Sequence, residues 1–441
     1  MLPAHITVKF VAGWTLPLLL GILSTAFAED KPSTLAEHGR WVTSVAYTPD
    51  GKTLVTAGGQ SLLYRPGDVM LWNAADGKHV ASLTGHETVV WSAAVSSGGA
   101  LLATSGYDGK VIIWDLAKRE TKHTLEKHKG WVRRVAFSPD GKLLASAGED
   151  GTVILWNTET GEPAREIKAH ESAVYGMAFS PDGATLATAG QDNFAKLWNV
   201  ADGAEKAKLE GHTDAVWAVA YSPDGNRIAT CGADRAVRLW NAAGATQATL
   251  IGHRDWVSTL SFSPDGKQLA SGSHDKQVRI WNLETAVKLS DMATAALAKS
   301  KETTRAASQS QLALESAQRQ ANDGQAKIEG LKKQVADEKD EKKLEEFKKQ
   351  LAEAEAAQPA LAKAHEEAAA KAQTDADAAS AAGEENSQLQ AQMAVALPAY
   401  SSTVWAVAFS PDGKNLATGS HREAAKVWNV AEKKELFPKS E

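Results

Sequence analysis

Residues 211–225 read GHTDAVWAVAYSPDG, and close relatives of this stretch occur six more times in the chain. Its central part, VWAVAYS, alternates in character and is rich in β-forming residues, which predicts a strand. The SPDG that follows has the composition of a tight turn, because proline presets one corner, aspartate bonds its own backbone and glycine takes the left-handed position. The stretch therefore predicts a strand and a turn that are repeated seven times.

The repeats have a regular spacing. Each ends in a Trp-Asn or Trp-Asp pair, whose tryptophans are Trp72, Trp114, Trp156, Trp198, Trp240, Trp281 and Trp428. A partner stands 28 residues before six of them, namely His86, His128, His170, His212, His253 and Tyr400. The first repeat is longer, with His38 standing 34 residues before Trp72. The period of 42 residues from Trp114 to Trp240 matches about four strands per unit.

These units resemble the WD40 repeat family, whose members are β-propellers built from four-stranded blades. The resemblance covers residues 32–290, which we assign to blades one to six, and residues 398–441, which we assign to blade seven. It implies an all-β, seven-bladed propeller, with residues 291–397 inserted between blades six and seven. The dipeptide is Trp-Asp only at Trp114-Asp115, and the other units carry the Trp-Asn variant.

The resemblance also implies a structural hydrogen-bonded tetrad of histidine, serine or threonine, aspartate and tryptophan in each blade. The complete sets are His86, Thr104, Asp108 and Trp114; His128, Ser146, Asp150 and Trp156; His170, Thr188, Asp192 and Trp198; His212, Thr230, Asp234 and Trp240; and His253, Ser271, Asp275 and Trp281. Tyr400 and Arg422 replace the histidine and the aspartate of the seventh unit, so that tetrad should be incomplete. An Asp–His–Ser set resembles a hydrolase triad, but its repetition around a ring favours a structural role over catalysis.

Every unit carries an aromatic residue three or five positions after its histidine or tyrosine. These residues are Trp41, Trp91, Trp131, Tyr175, Trp217, Trp256 and Trp405. Positions three and five share one face of a strand, and the resemblance implies that this strand is the innermost one, near the channel mouth. The aromatic residues either pack between blades or form a rim that binds a partner, as exposed Trp and Tyr do at binding hot spots. We prefer a protein partner over a glycan.

Other polar residues align with the same mouth: Arg133, Glu149, Gln191, His274 and His421. His274 and His421 occupy equivalent positions in adjacent blades, so a metal site is conceivable. Two histidines without a third ligand rarely hold a metal tightly. The sequence therefore predicts no metal and no cofactor.

The composition changes completely in the insert, which lacks Trp and Tyr from Asp291 to Leu397 and is rich in Ala, Lys, Glu and Gln. Apolar residues at Ile328, Leu331 and Val335 step by three and four, which indicates a helical stripe. We expect an antiparallel coiled-coil hairpin that leaves after the fourth strand of blade six, with its tip near residues 336–343. Several shorter helices, or a disordered Ala-rich linker, are the alternatives.

The N-terminal segment predicts export. An apolar run over residues 10–26 precedes Ala26-Phe27-Ala28, a small-x-small cleavage signature, so residues 1–28 read as a signal peptide. A periplasmic or secreted protein follows, and a membrane anchor is the alternative if the segment stays uncleaved. The net charge of −6 gives no general attraction to nucleic acid. Cys231 is the single cysteine, which excludes an intramolecular disulfide and favours a buried, inert thiol.

These features together predict an exported, non-enzymatic scaffold that binds a protein partner through its aromatic rim and its helical arm. The insert is also a candidate for self-association. A glycan- or wall-binding propeller and a propeller enzyme or cofactor carrier that uses the central channel are the alternatives. Composition leaves open whether residues 33–35 or residues 434–437 supply the last outer strand.

Overall fold

A computed structural model describes Leu35 and residues 41–59, 66–398 and 400–438. The signal peptide expected over residues 1–28, His38, and most of the insertion expected in the first unit lie outside these residues. Within them the chain forms seven antiparallel sheets of four strands, and in each sheet the strands follow one another in chain order.

Successive sheets share one plan, in which each strand pairs with the next. The first strands are β1 (Trp41–Tyr47), β5 (Val90–Val95), β9 (Val132–Phe137), β13 (Val174–Phe179), β17 (Val216–Tyr221), β21 (Val257–Phe262) and β25 (Val404–Phe409). The second strands are β2 (Thr53–Gly59), β6 (Leu101–Gly106), β10 (Leu143–Gly148), β14 (Thr185–Gly190), β18 (Arg227–Gly232), β22 (Gln268–Ser273) and β26 (Asn415–Ser420). The third strands are β3 (Asp68–Asn73), β7 (Lys110–Asp115), β11 (Thr152–Asn157), β15 (Ala195–Asn199), β19 (Val237–Asn241), β23 (Val278–Asn282) and β27 (Lys426–Asn429). The fourth strands are β4 (His79–Leu83), β8 (Glu120–Glu126), β12 (Pro163–Lys168), β16 (Glu205–Leu209), β20 (Thr246–Leu250), β24 (Ala394–Ala396) and β28 (Lys434–Glu435).

The seven sheets form a closed ring. Each first strand contacts the first strand of the next sheet, and β25 contacts β1 to complete the circle. The buried apolar side chains form seven clusters, each shared by two neighbouring blades; one of them joins Leu197 of blade four to Val216 and Trp240 of blade five. The core therefore lies between blades, and the expected seven-bladed propeller is confirmed.

The Pro-Asp-Gly turn that follows the first strand in six of the blades makes the side-chain hydrogen bonds that its sequence predicts. In the fifth blade the Ser222 hydroxyl donates to Asp224 at 2.5 Å and accepts from the amide of Arg227 at 2.9 Å. Gly225 adopts a φ of +72°, a conformation that side chains with a Cβ rarely take. The SPDG signature thus fixes the turn through its own serine, aspartate and glycine.

The insert forms two long helices, α1 (Leu283–Asp337) and α2 (Glu341–Met393). They pack as an antiparallel hairpin, joined across the seam by ion pairs from Lys299 to Glu385 at 2.8 Å and from Lys332 to Glu355 at 3.0 Å. The turn between them lies at residues 338–340, inside the expected tip, and Pro359 is accommodated within α2. Neither helix of the described chain combines the length and the apolar character needed to span a membrane.

The point at which the insert leaves the propeller differs from our expectation. The hairpin occupies residues 283–393 rather than 291–397, and it departs after the third strand of blade six, not after the fourth. Asn282 caps α1, because its side chain accepts the amide of Thr285 at 3.1 Å, so a helix begins where a tight turn stands in the other blades. The fourth strand comes from the far end of the hairpin, where β24 pairs with β23.

The C-terminal segment supplies the outermost strand of the last blade. β28 pairs with β27 through Trp428 and Glu435 and through Asn429 and Lys434. Leu35 instead lies buried between blades one and seven, and its amide donates to the Gly77 carbonyl at 2.8 Å. Each sheet of the described chain therefore consists of four strands that are consecutive along the chain.

Candidate functional site

A β-bulge near the start of each first strand aims one side chain away from the regular pairing. In β17, Val216 pairs with Gly232 and Ala218 with Cys231, which leaves Trp217 outside the register. A bulge of this kind redirects a side chain. The bulge residues of the seven blades are Thr43, Trp91, Arg133, Tyr175, Trp217, Ser258 and Trp405.

The seven aromatic residues therefore do not form one ring of equivalent positions. Trp91, Tyr175, Trp217 and Trp405 stand at the bulge, whereas Trp41, Trp131 and Trp256 stand two residues earlier in their blades. The valine between the two positions is fully buried in every blade: Val42, Val90, Val132, Val174, Val216, Val257 and Val404. The aromatic residues thus occupy two tiers at one end of the first strands.

Six of the seven aromatic residues meet in one cluster. The rings of Tyr175 and Trp217 stack at 4.4 Å between centroids and at an interplanar angle of 9°. Trp217 reaches Trp405 at 6.4 Å past blade six, and Trp405 reaches Trp91 at 5.6 Å past blade one. We call this surface the aromatic mouth and define it by Trp91, Tyr107, Trp131, Tyr175, Trp217, Trp256 and Trp405. Trp41 lies apart from it, against His421 at 4.3 Å.

Tyr107 is a member of the mouth that sequence reasoning missed. Its ring lies 4.1 Å from Trp131 and 5.2 Å from Trp91, and so bridges blades two and three. The residue immediately precedes the tetrad Asp108, the position that Glu149 holds in the next unit. That alignment could have identified Tyr107, since Glu149 had already been placed near the mouth by the same reasoning.

Arg133 places a cation among these rings. Its guanidinium carbon lies 4.7 Å from the ring centroid of Trp91 and 5.3 Å from that of Trp131, a cation–π geometry. The same group pairs with Glu149 at 2.6 Å. Burial raises the pKa of Tyr175, and Arg133 partly offsets that increase.

His274 is the second polar residue in the cluster, 4.9 Å from Trp405 and 5.2 Å from Trp256. Burial lowers its pKa, and the nearby Asp255 partly offsets the effect. The nearby His421 lowers the pKa of His274 further. No group of three or more His, Cys, Asp or Glu side chains suited to a metal ion occurs among the residues that the structure describes.

Some polar side-chain atoms of the mouth and its neighbours lack hydrogen-bond partners among the described residues. Trp217 Nε1, Arg133 Nε and His274 Nε2 are buried and have no hydrogen-bond partner within the described ranges. Buried polar atoms of folded proteins are usually paired, so three exceptions in one surface require an explanation. Trp256 is the most accessible of these rings, with 42% of its surface exposed, and the other aromatic residues are half-buried. The mouth therefore offers an exposed aromatic surface, with unpaired polar atoms buried within it.

The tetrad side chains are brought together in blades two to six. In blade six, His253 Nδ1 lies 2.9 Å from Asp275 and Nε2 lies 2.7 Å from Ser271, which accepts from Trp281 Nε1 at 2.8 Å. Burial alone would raise the pKa of Asp275, but the hydrogen bonds from His253 and from backbone amides lower it to about 2. The same contacts recur in the other four sets.

Blade seven replaces its tetrad with a different arrangement. The Tyr400 hydroxyl bonds directly to Thr418, which also accepts from Trp428 Nε1 at 2.9 Å. Glu423, one residue after the aligned Arg422, accepts the loop amide of Ser401, as the tetrad aspartate does in other blades. In blade one, Trp72 Nε1 donates to Thr56 at 2.8 Å, and His38 lies outside the described residues.

Cys231 lies on β18 and is fully buried. Burial raises the pKa of its thiol well above the usual value, and the nearby Asp234 adds to the increase. The thiol is therefore protonated and shielded at neutral pH, which is typical of a packing cysteine.

Comparison with known families agrees with this architecture, while no curated protein matches the chain. The family model described as WD domain, G-beta repeat matches seven segments that together exceed half of the chain: residues 30–73, 77–115, 119–157, 161–199, 203–241, 244–282 and 392–429. Such repeats indicate a scaffold for protein interactions, and domains of this kind generally bind protein partners. With seven matched repeats on seven four-stranded sheets, the chain belongs to the WD40 repeat family.

Proposed function

We propose that this protein is an exported scaffold that binds a protein partner with its aromatic mouth. The observation that carries the proposal is the coincidence of clustered aromatic rings with buried, unpartnered polar atoms on one surface. Trp217 Nε1 and Arg133 Nε lie among rings that a partner would cover. Aromatic and arginine side chains dominate binding hot spots when a partner removes them from water.

The arrangement of the rings favours a protein over a glycan. Trp217 stacks on Tyr175 at 4.4 Å and on Trp256 at 5.9 Å, so its ring is already engaged by two neighbouring rings. A sugar ring stacks on a free aromatic face, whereas a peptide also uses ring edges and polar atoms. Trp256 is the ring with the largest open surface and should be the main contact.

The helical hairpin adds a second surface to the scaffold. Its helices of 55 and 53 residues extend over about 80 Å at 1.5 Å per residue, well beyond the part that packs on the propeller. Leu312, on the outer part of α1, is 65% exposed. We assign the hairpin the role of a spacer or second contact, including contact with another copy.

Capture from an envelope extract of the source organism would test the mouth. The bait proteins would be the intact chain, Trp256→Ala, Trp405→Ala, and Leu312→Ala as the matched loss of an exposed apolar residue outside the mouth. We expect one or more proteins, quantified by mass spectrometry, to fall at least about tenfold with each Trp variant, as a hot spot of this size implies. Leu312→Ala should retain them.

Equal recovery of the captured proteins with all four baits would show that the mouth is not their binding site. Loss of the captured proteins with Leu312→Ala alone would show that the hairpin is the binding site. Export is tested separately, by fractionating cells and sequencing the N-terminus of the protein. The proposal expects an envelope or secreted fraction and a chain that begins at Glu29.

A further inference from the structure

A second polar site lies where the hairpin meets the propeller. A cleft of about 1140 Å³ opens between the third and fourth strands and neighbouring loops of blades five and six on one side and α1 and α2 on the other. Thr294 and Lys301 of α1 line it, together with Asn386 and Gln390 of α2. The insert therefore builds one wall of a site whose other wall is the propeller.

The cleft concentrates positive charge in a chain whose net charge is −6. Its cationic side chains are Arg235, Arg238, Arg254, Arg279 and Lys301. The carboxylates that line it are Asp234 and Asp291. Asp234 is already engaged by His212 at 2.9 Å, which leaves Asp291 as the acidic side chain of the lining that makes no ion pair among the described residues.

Two of the arginines are half-buried and incompletely paired. Arg238 Nε and Arg279 Nε are both buried without a hydrogen-bond partner in the described part of the chain. Arg238 makes a hydrogen bond to Thr249 at 3.2 Å and lies 3.8 Å from Asp234. A guanidinium that leaves donors unused in a confined space is suited to two oxygens of a carboxylate or phosphate group.

The opposite wall contributes polar atoms of its own. Asn386 Oδ1 and Gln390 Oε1 are buried and lack partners among the described residues. A half-turn of either amide exchanges this oxygen for an NH₂ group, so the same side chain can donate to an anion. Gln390 and Arg279 both converge on Gly252, at the loop that precedes His253.

The arginine pair is particular to these two blades. Arg238 and Arg279 stand two residues before the third-strand tryptophans of blades five and six. Blades one to three carry Met70, Ile112 and Ile154 at this position. Blades four and seven carry lysines, which are paired with carboxylates: Lys196 with Glu205 at 3.6 Å and Lys426 with Glu423 at 3.1 Å. Arginine at this position thus occurs in the two blades that line the cleft with the hairpin.

We propose that this cleft binds a small molecule with several oxyanion groups, either phosphates or carboxylates. Its volume suits a small molecule, and Arg238 and Arg279 lie on adjacent blades, where they can hold separate groups of one ligand. The site is distinct from the aromatic mouth and does not depend on the function proposed for it.

Isothermal titration calorimetry of the full chain would test the site with inorganic pyrophosphate and with citrate. We expect one or both to bind, more weakly when the salt concentration is raised. Arg238→Gln combined with Arg279→Gln should weaken binding at least about tenfold, because both charge-assisted contacts are lost. Arg165→Gln, which removes the same charge between blades three and four, should leave binding unchanged.

Asp291→Asn separates a ligand site from a folding defect. This exposed residue of α1 repels an anion, so its neutralisation should tighten binding severalfold. Binding of pyrophosphate alone would indicate a phosphorylated ligand, and binding of citrate alone a polycarboxylate. The proposal is overturned if neither probe binds, if the double variant binds as the natural chain does, or if Arg165→Gln weakens binding equally.

Discussion

At the scale of single residues, the hydroxyl of Ser271 connects one buried donor to one buried acceptor. Trp281 Nε1 is always a donor, so it gives its proton to the Ser271 oxygen, and the hydroxyl in turn donates to His253 Nε2. Nδ1 of His253 then donates to Asp275. Burial lowers the pKa of His253, although Asp275 opposes the shift, and a neutral imidazole satisfies every member of this chain.

Ser271→Ala should therefore destabilise the protein by about 3 kcal/mol, because it strands two buried nitrogens whose desolvation costs about 1–3 kcal/mol each. Urea unfolding followed by circular dichroism would measure the change. Ser308→Ala, at an exposed serine of α1 outside the propeller, is the control and should change the free energy of unfolding by less than about 0.5 kcal/mol. Similar values for the two variants would contradict the role of the tetrad as a stabilising network.

Sequence reasoning placed single residues well wherever their spacing repeats. The tetrad members of blades two to six stand at fixed intervals, and each meets its partner. It failed where geometry departs from the period: the bulge that displaces Trp217 has no signature in the residue pattern, so two tiers of aromatic residues were taken for one ring. The role of Glu423 as acceptor of the Ser401 amide was not predicted, because Glu423 stands one position after the aligned Arg422.

Asn282 shows the same limit at the scale of an element. In blade three the equivalent Asn157 accepts the amides of Glu159 and Thr160 and closes a tight turn. The side chain of Asn282 accepts the amide of Thr285 in the same way, but here it starts a helix of 55 residues. One local hydrogen-bond pattern serves both outcomes, and the packing of the following residues decides between them.

The inner end of the hairpin belongs to the propeller core. Leu283, Ala286 and Ala293 are fully buried in the cluster between blades five and six, together with Met393. Deleting residues 292–396 would therefore remove β24 and open blade six. Beyond Ala296 the buried residues of α1 are Ser310, Ile328 and Leu331, which lie where α1 packs along α2 rather than on the propeller.

Replacing residues 306–379 with a short glycine-rich turn should leave the propeller intact. This deletion keeps the ion pair between Lys299 and Glu385 and all of the buried inner contacts. We expect the free energy of unfolding to change by less than about 0.5 kcal/mol, as for other surface changes. Ala293→Asp is the contrasting variant, and burying its charge should cost about 3 kcal/mol or more. A large loss on truncation would mean that the outer hairpin stabilises the blades.

At the scale of the whole molecule, the ring closes without an exchanged strand among the described residues. Blade one meets blade seven through a shared apolar cluster, in which Leu35, Val42 and Trp72 pack with Ala417 and Val427. The outer strand of blade seven, β28, has two residues, against six in β12 of blade three. Blade seven thus has the shortest outer strand of the seven described sheets.

We therefore expect the ring to open at this joint first. Amides of β27 should exchange with solvent at least about tenfold faster than those of β11, measured by hydrogen exchange and mass spectrometry, because local opening follows the weakest packing. Leu35→Ala should cost about 2–5 kcal/mol and accelerate exchange in blades one and seven together. Leu83→Ala, which lies in the cluster between blades one and two, should leave blade seven protected. Uniform exchange around the ring, or equal effects of the two leucine variants on blade seven, would contradict this prediction. Either result would show that the joint between blades one and seven is as stable as the other joints of the propeller.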